Sequence, residues 1–481
     1  MVIRKAVFLP DLGNCNTLIP LGCSAVSQIL LHDTLSGQLR ALEPRDPGRV
    51  GIYVCGPTVY ARIHVGNARP YVVFSLLKRF LVHEGYEVTL VVNITDINDK
   101  IYAAARDNPL TSPELATAMT EFYVADTNEL ELGRPDHEPL ASATIGSIIE
   151  LIEELVESGH AYPADGDVYF SVASYPPYGQ LSHRRVEELD QGEGVEGAER
   201  KRDAADFALW KAYKPAEDSY WDSPWGPGRP GWHIECSAMA ETLLGLDFEI
   251  HGGGSDLIFP HHENEAAQTE AARRTPLARL WVHNGMVNLD RGKMAKSEGN
   301  IFLLHEAIAA YGRDALIAYF CGGHYRQPIE FDRERLAVAQ SAVRRIREAG
   351  RALAFGPSPP WSAPLRERFF AALADDFNTP AALAVVFEWA REANRARADT
   401  SAARVGDADF REMLAVLALD NLLEQTKPRP PADVLELLQS RELARQDGNY
   451  KEADSIRERI EAMGWEVRDG PRGPELLPAQ R

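Results

Sequence analysis

Residues 51–54 are an apolar run, residues 55–64 a turn-rich loop, residues 71–83 a helical run and residues 88–94 a second apolar run. That order reads as a βαβ unit, in which the two strands lie parallel and the loop after the first reaches the carboxyl edge of the sheet, where nucleotides bind. Strand and helix alternation resumes near Gly231, with a helix expected over 233–244, a strand over 247–251, a helix over 260–273 and a strand over 282–289. One sheet built from two halves is therefore expected.

Between the halves the rhythm breaks. An acidic helix over 148–157, a short strand over 167–172 and a polar segment rich in Glu and Gly mark residues 105–230 as an insertion. Beyond Phe331 strand signals largely vanish, and helical runs rich in Ala, Arg and Glu occupy 333–355, 380–398, 410–423 and 432–445, the pattern of a helical bundle. Pro428, Pro430 and Pro431 mark a hinge before a small terminal domain. The expected division is a disordered extension over 1–27, the parallel-sheet domain over 28–104 and 231–300, the insertion over 105–230, junction helices over 301–340, the bundle over 341–427 and a C-terminal domain over 428–481.

Composition narrows the function classes. The 481 residues allow roughly two to four domains at ordinary domain size. No apolar run approaches the roughly 20 residues that cross a bilayer, so no membrane partner is expected. Arg4 and Lys5 precede a moderately apolar stretch, but Asp11, Asn14, Pro20 and Gly22 interrupt it and no secretory signal is read there. Five cysteines (Cys15, Cys23, Cys55, Cys236, Cys321) argue against a disulfide framework and for a reducing, cytoplasmic setting. A net charge of −20 excludes a protein that coats nucleic acid by bulk electrostatics, so any such contact has to use local basic patches.

Two short motifs sit where a nucleotide would need them. His64-Val65-Gly66-Asn67 opens the first helix, and Lys293-Met294-Ala295-Lys296-Ser297 follows the last strand of the sheet. A helix N-terminus offers free N–H groups to a phosphate, Gly66 leaves room for adenine against the backbone, and His64 can donate to a phosphate oxygen. Lys293 and Lys296 lie three apart between Gly292 and Gly299, so both ammonium groups can follow a departing pyrophosphate. Alone, each motif is weak, since a Lys-rich loop is usually a solvated turn. Paired, in this order, they resemble the signatures of class I aminoacyl-tRNA synthetases. Asn67 stands where the generic first motif ends in His, and Ala295 where the second has its first Ser.

Cys55, Cys236, His261 and Glu265 form a second constellation. His261 and Glu265 are four apart on one helix and share a face, while Cys55 ends the first strand and Cys236 begins a helix of the second half. All four can meet at the carboxyl edge, and thiolate, imidazole and carboxylate suit Zn²⁺. His262 and Glu263 are expected to point elsewhere on that helix. A bland reading stands beside this one, because buried free cysteines are common in cores and no C-x-x-C spacing is present.

Residues 53–67 (YVCGPTVYARIHVGN), 231–239 (GWHIECSAM) and 247–265 (DFEIHGGGSDLIFPHHENE) resemble cysteinyl-tRNA synthetases in particular. The resemblance implies an α/β fold: a Rossmann-type parallel-sheet catalytic domain split by an α/β insertion and followed by a helical-bundle C-terminal domain. It implies one zinc per chain on Cys55, Cys236, His261 and Glu265, and Mg²⁺ with ATP. His64, Lys293 and Lys296 then act in catalysis, and Gly66, Asn67, Asp256 and Ser297 join them in holding ATP. Cys55, Thr95, Trp232 and His251 would frame L-cysteine, and the insertion would contact the acceptor end of tRNA(Cys) without editing. In the C-terminal half, Arg344, Arg345, Arg347, Arg351, Arg391, Arg395 and Arg397 are available for phosphate, although Arg/Glu helices are usually solvated faces. Residues 375–379 (DDFNT) and 445–468 match the family, whereas 473–477 (GPELL) departs from its Trp-containing close. A monomer is expected. The alternatives are a ligase joining cysteine to an amino-sugar acceptor, and a non-catalytic cysteine or zinc sensor. The chain continues about 140 residues past the catalytic half, which fits a separate domain better than the shorter amino-sugar enzymes.

Overall fold

The computed structural model describes residues 28–106, 108–185, 191, 198–289, 292–293, 302–398, 405–424, 431–446, 449–470 and 473–478. The expectations for 1–27, Lys296, Ser297 and the proline hinge at Pro428 and Pro430 lie outside these residues. Among the described residues no helix is long and apolar enough to cross a membrane.

A hairpin of β1 (Leu30–Asp33) and β2 (Gln38–Ala41) precedes β3 (Arg49–Val54), α1 (Val65–His83) and β4 (Glu87–Val92). Helices α2 (Asp99–Ala105), α3 (Ser112–Asn128) and α4 (Ile145–Glu157) lead into strands β5 (Ala161–Ala164), β6 (Asp167–Phe170), β7 (Phe207–Ala212) and β8 (Gly228–Pro230). Next come α5 (Trp232–Leu244), β9 (Phe248–Gly254), α6 (Glu263–Arg273) and β10 (Ala278–Asn284). The chain then forms β11 (Val287–Leu289), β12 (Gly292–Lys293), α7 (Leu304–Tyr311), α8 (Arg313–Cys321) and β13 (Ile329–Phe331). The remainder is helical, α9 (Arg333–Gly350), α10 (Ala363–Ala374), α11 (Thr379–Ala398), α12 (Ala408–Val416), α13 (Ala432–Gln446) and α14 (Tyr450–Ala462), until β14 (Trp465–Gly470) and β15 (Gly473–Pro478) close a hairpin.

The central sheet has the order β10-β9-β3-β4 and is parallel throughout. Helices cover it, so β3 is buried from Ile52 to Val54 and reads as a continuous apolar run, as buried parallel strands do. Tyr53 lies opposite both Val91 and His251, and His251 lies opposite Trp281. That row continues into a buried cluster with Cys55, Cys236, Met239 and Phe248, which is the floor of the site described below. Both halves of the sequence thus contribute adjacent strands to one sheet.

Between β4 and β9, α4 turns Ile148, Leu151, Ile152 and Leu155 inward, the spacing of one helical face. They pack with Val168, Phe170, Phe207 and Trp210 of the antiparallel β5-β6-β7-β8 sheet, and with Ile234 and Ala267 of α5 and α6. The insertion is therefore joined to the second half of the main sheet by a shared apolar core.

Three local expectations fail for identifiable reasons. The strand expected over 282–289 is two strands, because the chain turns at Gly285 and Met286 and β11 pairs with β13 and β12 instead of extending β10. The helix expected from Pro260 is preceded by a single wide turn over Ile258–His262, in which Phe259 is extended (φ −136°, ψ 134°). Strands also return after Phe331: Trp465 and Val467 of β14 form a small core with Val434, Ile456 and Ile460.

The last turn of α1 docks on the C-terminal helices through His83. Its Nε2 lies 2.8 Å from Glu412 Oε1, its Nδ1 lies 2.9 Å from Glu84 Oε1, and its ring stacks on Phe370 at 4.1 Å. The hydrogen bonds to Glu412 and then Glu84 raise the imidazole from 6.5 to about 9 against the opposing effect of burial. A raised pKa stabilises the fold fully below pH 6.5, and the contribution disappears as the pH rises through about 9. His83→Ala is expected to lower the melting temperature by about 2–4 °C near neutrality. The gap from wild type should narrow above pH 9, and thermal unfolding with an equal gap at both pH values would contradict a charge-linked role.

Candidate metal centre and nucleotide site

Cys55 follows β3, Cys236 sits in the second turn of α5, and His261 and Glu265 flank the start of α6. Their ligand atoms lie within 4.8 Å of one another, and all four residues are buried. The Cys55 thiol donates to Glu265 Oε1 at 3.3 Å, and His261 Nε2 lies 3.1 Å from the same oxygen without forming a hydrogen bond to it. A buried imidazole nitrogen without a partner is costly by about 1–3 kcal/mol unless something else completes it. Two sulfurs, one imidazole and one carboxylate make a donor set suited to a divalent metal of borderline softness.

Each donor is held from behind. His233 Nδ1 lies 3.0 Å from His261 Nδ1, which turns His261 Nε2 toward the cluster. His251 Nε2 lies 2.9 Å from Glu265 Oε2 and leaves Oε1 facing the thiols. Trp232 stacks on His261 at 4.1 Å and Trp281 on His251 at 4.4 Å, so the rings have no room to rotate away. Such outer contacts orient ligands and select the tautomer that binds metal.

The electrostatics fit an ion that brings its own charge. Burial first, then the neighbouring Cys236 thiol and Glu265, pushes the Cys55 thiol well up, and burial raises Cys236 as well. Burial holds the imidazoles of His261 and His262 well below their ordinary value, hence neutral and able to ligate. A cation of charge +2 reverses the balance for the thiols by stabilising thiolate.

Sequence spacing points His262 away from the cluster, but the structure brings it in. The wide turn before α6 puts His262 Nε2 at 4.0 Å from Glu265 Oε1, unpartnered and fully buried, while Nδ1 bonds His283 Nε2 at 2.7 Å. Cys55, His251, His262 and Glu265 thereby form a second, overlapping donor set. The first set is the better fit, because it uses both thiols and leaves His251 on its hydrogen bond to Glu265. Glu263 does point elsewhere, accepting from the backbone N–H groups of Gly179 and Ser182 and fastening the insertion. His233 and His262 lie inside the stretches 231–239 and 247–265 but have no role assigned there, and His283 lies outside them; α5, the turn before α6 and β10 bring the three together here.

The remaining sites expected to frame a substrate divide. Trp232 and His251 border the cluster, as above. Thr95 is buried and accepts from Asn93 Nδ2 at 3.2 Å, while its backbone ties to Pro57 and Val59, so it holds the loop that carries Cys55. Asp256 is exposed beyond the Gly252–Gly254 end of β9.

At the start of α1, His64 Nδ1 accepts from the Asn67 N–H at 3.2 Å, and Asn67 Oδ1 accepts from the His64 N–H at 3.3 Å. This reciprocal cap assigns the Nε2–H tautomer to His64. Asn67 therefore acts as a cap in the position where the generic motif carries His. A Cβ on residue 66 would lie 2.9 Å from the His64 ring, so Gly66 keeps that ring in place. Gly66→Ala is expected to displace it and slow phosphate chemistry by about 10²-fold, the usual consequence of a misplacement near 1 Å, with metal content unchanged; rapid-quench kinetics at full activity would contradict this.

The Lys293 motif is partly described. Lys293 ends β12, and the chain is placed again at Phe302, whose carbonyl accepts from Val65 N–H at 3.0 Å; the Leu304 N–H bonds Ile63 O at 3.0 Å. Phe302 and Leu304 are thus anchored beside the His64 cap, while Lys293 pairs with Asn288 of β11.

A parallel sheet with the His64 cap at its carboxyl edge and Lys293 on the short strand β12 that follows fits a class I aminoacyl-tRNA synthetase. The model of the class I (C) tRNA synthetase catalytic domain matches residues 41–341, a DALR domain matches 368–421 and a cysteinyl-tRNA ligase anticodon binding domain matches 427–473. Cysteine–tRNA ligase of Halorhodospira halophila is 46% identical over 456 residues, covering 92% of this chain and 98% of that protein. The enzyme of the same name from Pseudothermotoga lettingae is 44% identical over 452 residues, covering 92% and 97%. The chain belongs to the cysteine–tRNA ligase family. Among solved structures, Mycobacterium tuberculosis methionyl-tRNA synthetase with methionyl-adenylate superposes at TM-score 0.58 with 15% identity, over 81% of this chain and 94% of that one, a likeness of fold.

Proposed function

We propose that this enzyme activates L-cysteine with Mg·ATP and transfers it to tRNA(Cys), with zinc on Cys55, Cys236, His261 and Glu265 selecting the amino acid by its sulfur. The observation that carries the reading is the convergence of those four side chains from both halves of one sheet. When bound, zinc supplies the Lewis acidity that turns the substrate thiol into a thiolate and retains it, which a serine hydroxyl does not match. A site that demands this partner rejects the hydroxyl analogue by about 10⁴-fold or more, so no editing site is required.

The substrate carboxylate attacks the α-phosphate of ATP and pyrophosphate leaves; a terminal ribose hydroxyl of tRNA then attacks the carbonyl carbon and AMP leaves. His64 donates through Nε2–H, and Lys293 and Lys296 carry the charge that develops on the phosphates. Gly66, Asn67, Asp256 and Ser297 hold ATP, and Thr95, Trp232 and His251 frame the amino acid. A cavity of about 720 Å³ runs from Trp232 and His233 past Tyr102, Lys100, Lys211 and Arg200, between the main sheet and the insertion. Its lining also holds Asp99, Asp167, Glu199 and Glu217, with Lys211 paired to Asp99 and Arg200 to Asp167, so it is the rings of Tyr102, Tyr169 and Trp232 beside a mixed set of charges that support a path for the single-stranded acceptor end. We further place the protein in the cytoplasm, acting as a monomer.

Cysteine-dependent ATP–pyrophosphate exchange, followed by charging of tRNA(Cys), tests the reading. Exchange without charging would favour a small acceptor such as an amino sugar, and absence of both would leave a cysteine or zinc sensor.

A further inference from the structure

Arg69, just beyond the His64 cap, is fully buried, yet among the described residues its guanidinium binds no carboxylate. It donates to four backbone carbonyls: Gly285 O at 2.6 Å, Met286 O at 3.0 Å, His324 O at 3.2 Å and Gln327 O at 2.7 Å. The first two belong to the turn that launches β11, and the last two to the loop before β13. The same two segments are stitched to each other, Gly285 N–H to Tyr325 O at 2.8 Å and Ile329 N–H to Met286 O at 3.0 Å. They run so close that a Cβ on Gly285 would lie 2.4 Å from the Gln327 backbone.

The 324–327 loop is also held by Asp376, between α10 and α11. Its carboxylate accepts from Tyr325 OH at 2.9 Å, Arg326 Nε at 2.7 Å and the His32 backbone N–H at 2.9 Å. Asp376 and Phe377 both adopt left-handed backbone (φ +57° and +47°), a conformation that ordinary side chains avoid and that persists where surroundings dictate it. From this loop the connection to the chemistry is direct: β13 pairs with β11, and Asn288 of β11 lies opposite Lys293 of β12.

We propose that Arg69 and Asp376 are positioning residues for adenylate formation. Gripping one loop, Arg69 by its backbone carbonyls and Asp376 by its side chains, they set β13 and β11, and through them β12, relative to the N-terminus of the helix that His64 caps. The helical region thereby has a rigid connection to the nucleotide site, separate from the His83 contact. This rests on the ligase reading above, since the step concerned is the reaction with ATP.

The test uses full-length, zinc-loaded protein carrying Arg69→Lys, Asp376→Asn or both, in ATP–pyrophosphate exchange with zinc content measured alongside. Wild-type exchange is the reference, and its absence would sink the ligase reading and this proposal with it. With that reference present, each single variant is expected to lower kcat by about tenfold or more, with KM for cysteine and zinc content within about twofold. The double variant is expected to lose less than the product of the two, because both act on one loop. His83→Ala, at the other junction contact, is the control and should keep exchange within about twofold while losing thermal stability. Unchanged kcat in both single variants overturns the proposal, as does an equal fall in His83→Ala or a loss confined to KM for cysteine. Should the charged variants fail to fold, Tyr325→Phe, which deletes one hydroxyl from the loop, reads the same split: a lowered kcat supports the proposal and an unchanged one overturns it.

Discussion

Lys296→Ala is expected to reduce cysteine-dependent ATP–pyrophosphate exchange by about 10²–10³-fold, the usual loss when one preorganised charge donor is removed from a transition state. Cysteine binding and zinc content should be unaffected, because the proposal assigns Lys296 to the phosphates and the proposed metal donors Cys55, Cys236, His261 and Glu265 are a separate, buried set. Exchange kinetics and calorimetric titration with cysteine separate the two effects. Undiminished exchange in this variant would remove Lys296 from the mechanism.

Cys236→Ser is expected to lower zinc affinity by more than about 10²-fold, exceeding the effect of losing an outer contact, since it replaces one of only two soft donors. Preference for cysteine over serine should fall with it. Because burial raises both thiols, zinc uptake must expel their protons, so apparent affinity is expected to rise with pH and weaken on acidification. Competition with a chromogenic chelator at several pH values measures both. Full zinc occupancy in the variant would show that the donor set has been drawn wrongly.

How much of this was legible in the sequence depended on the range of the interactions. Local spacing was enough for His261 and Glu265, four apart on one helix, and for His64, whose cap partner Asn67 is three residues on. Alternating strand and helix runs also implied the two-part parallel sheet, because buried parallel strands are continuous apolar stretches. His262 was lost because a single wide turn before α6 rotates it into the cluster, and helical periodicity assumes no such turn. The split of residues 282–289 was missed although Asn284-Gly285 is a turn signal, and the pairing of β11 with β13 shows that the chain changes sheet there. Arg69 carries no local signal, and Asp376 was marked only as part of the 375–379 stretch, with no role attached, since their partners lie 50 to 344 residues away and ordinary Arg and Asp are surface residues. The closing hairpin was obscured by polar residues and glycines around a core of only a few side chains.

The metal's sulfur count gives the most direct test of the central claim. Zinc K-edge X-ray absorption on the purified enzyme is expected to give two sulfur neighbours, from Cys55 and Cys236, and a third when cysteine is added. Serine should leave the spectrum unchanged. A sulfur shell that does not grow with cysteine would contradict recognition of the substrate through its thiol.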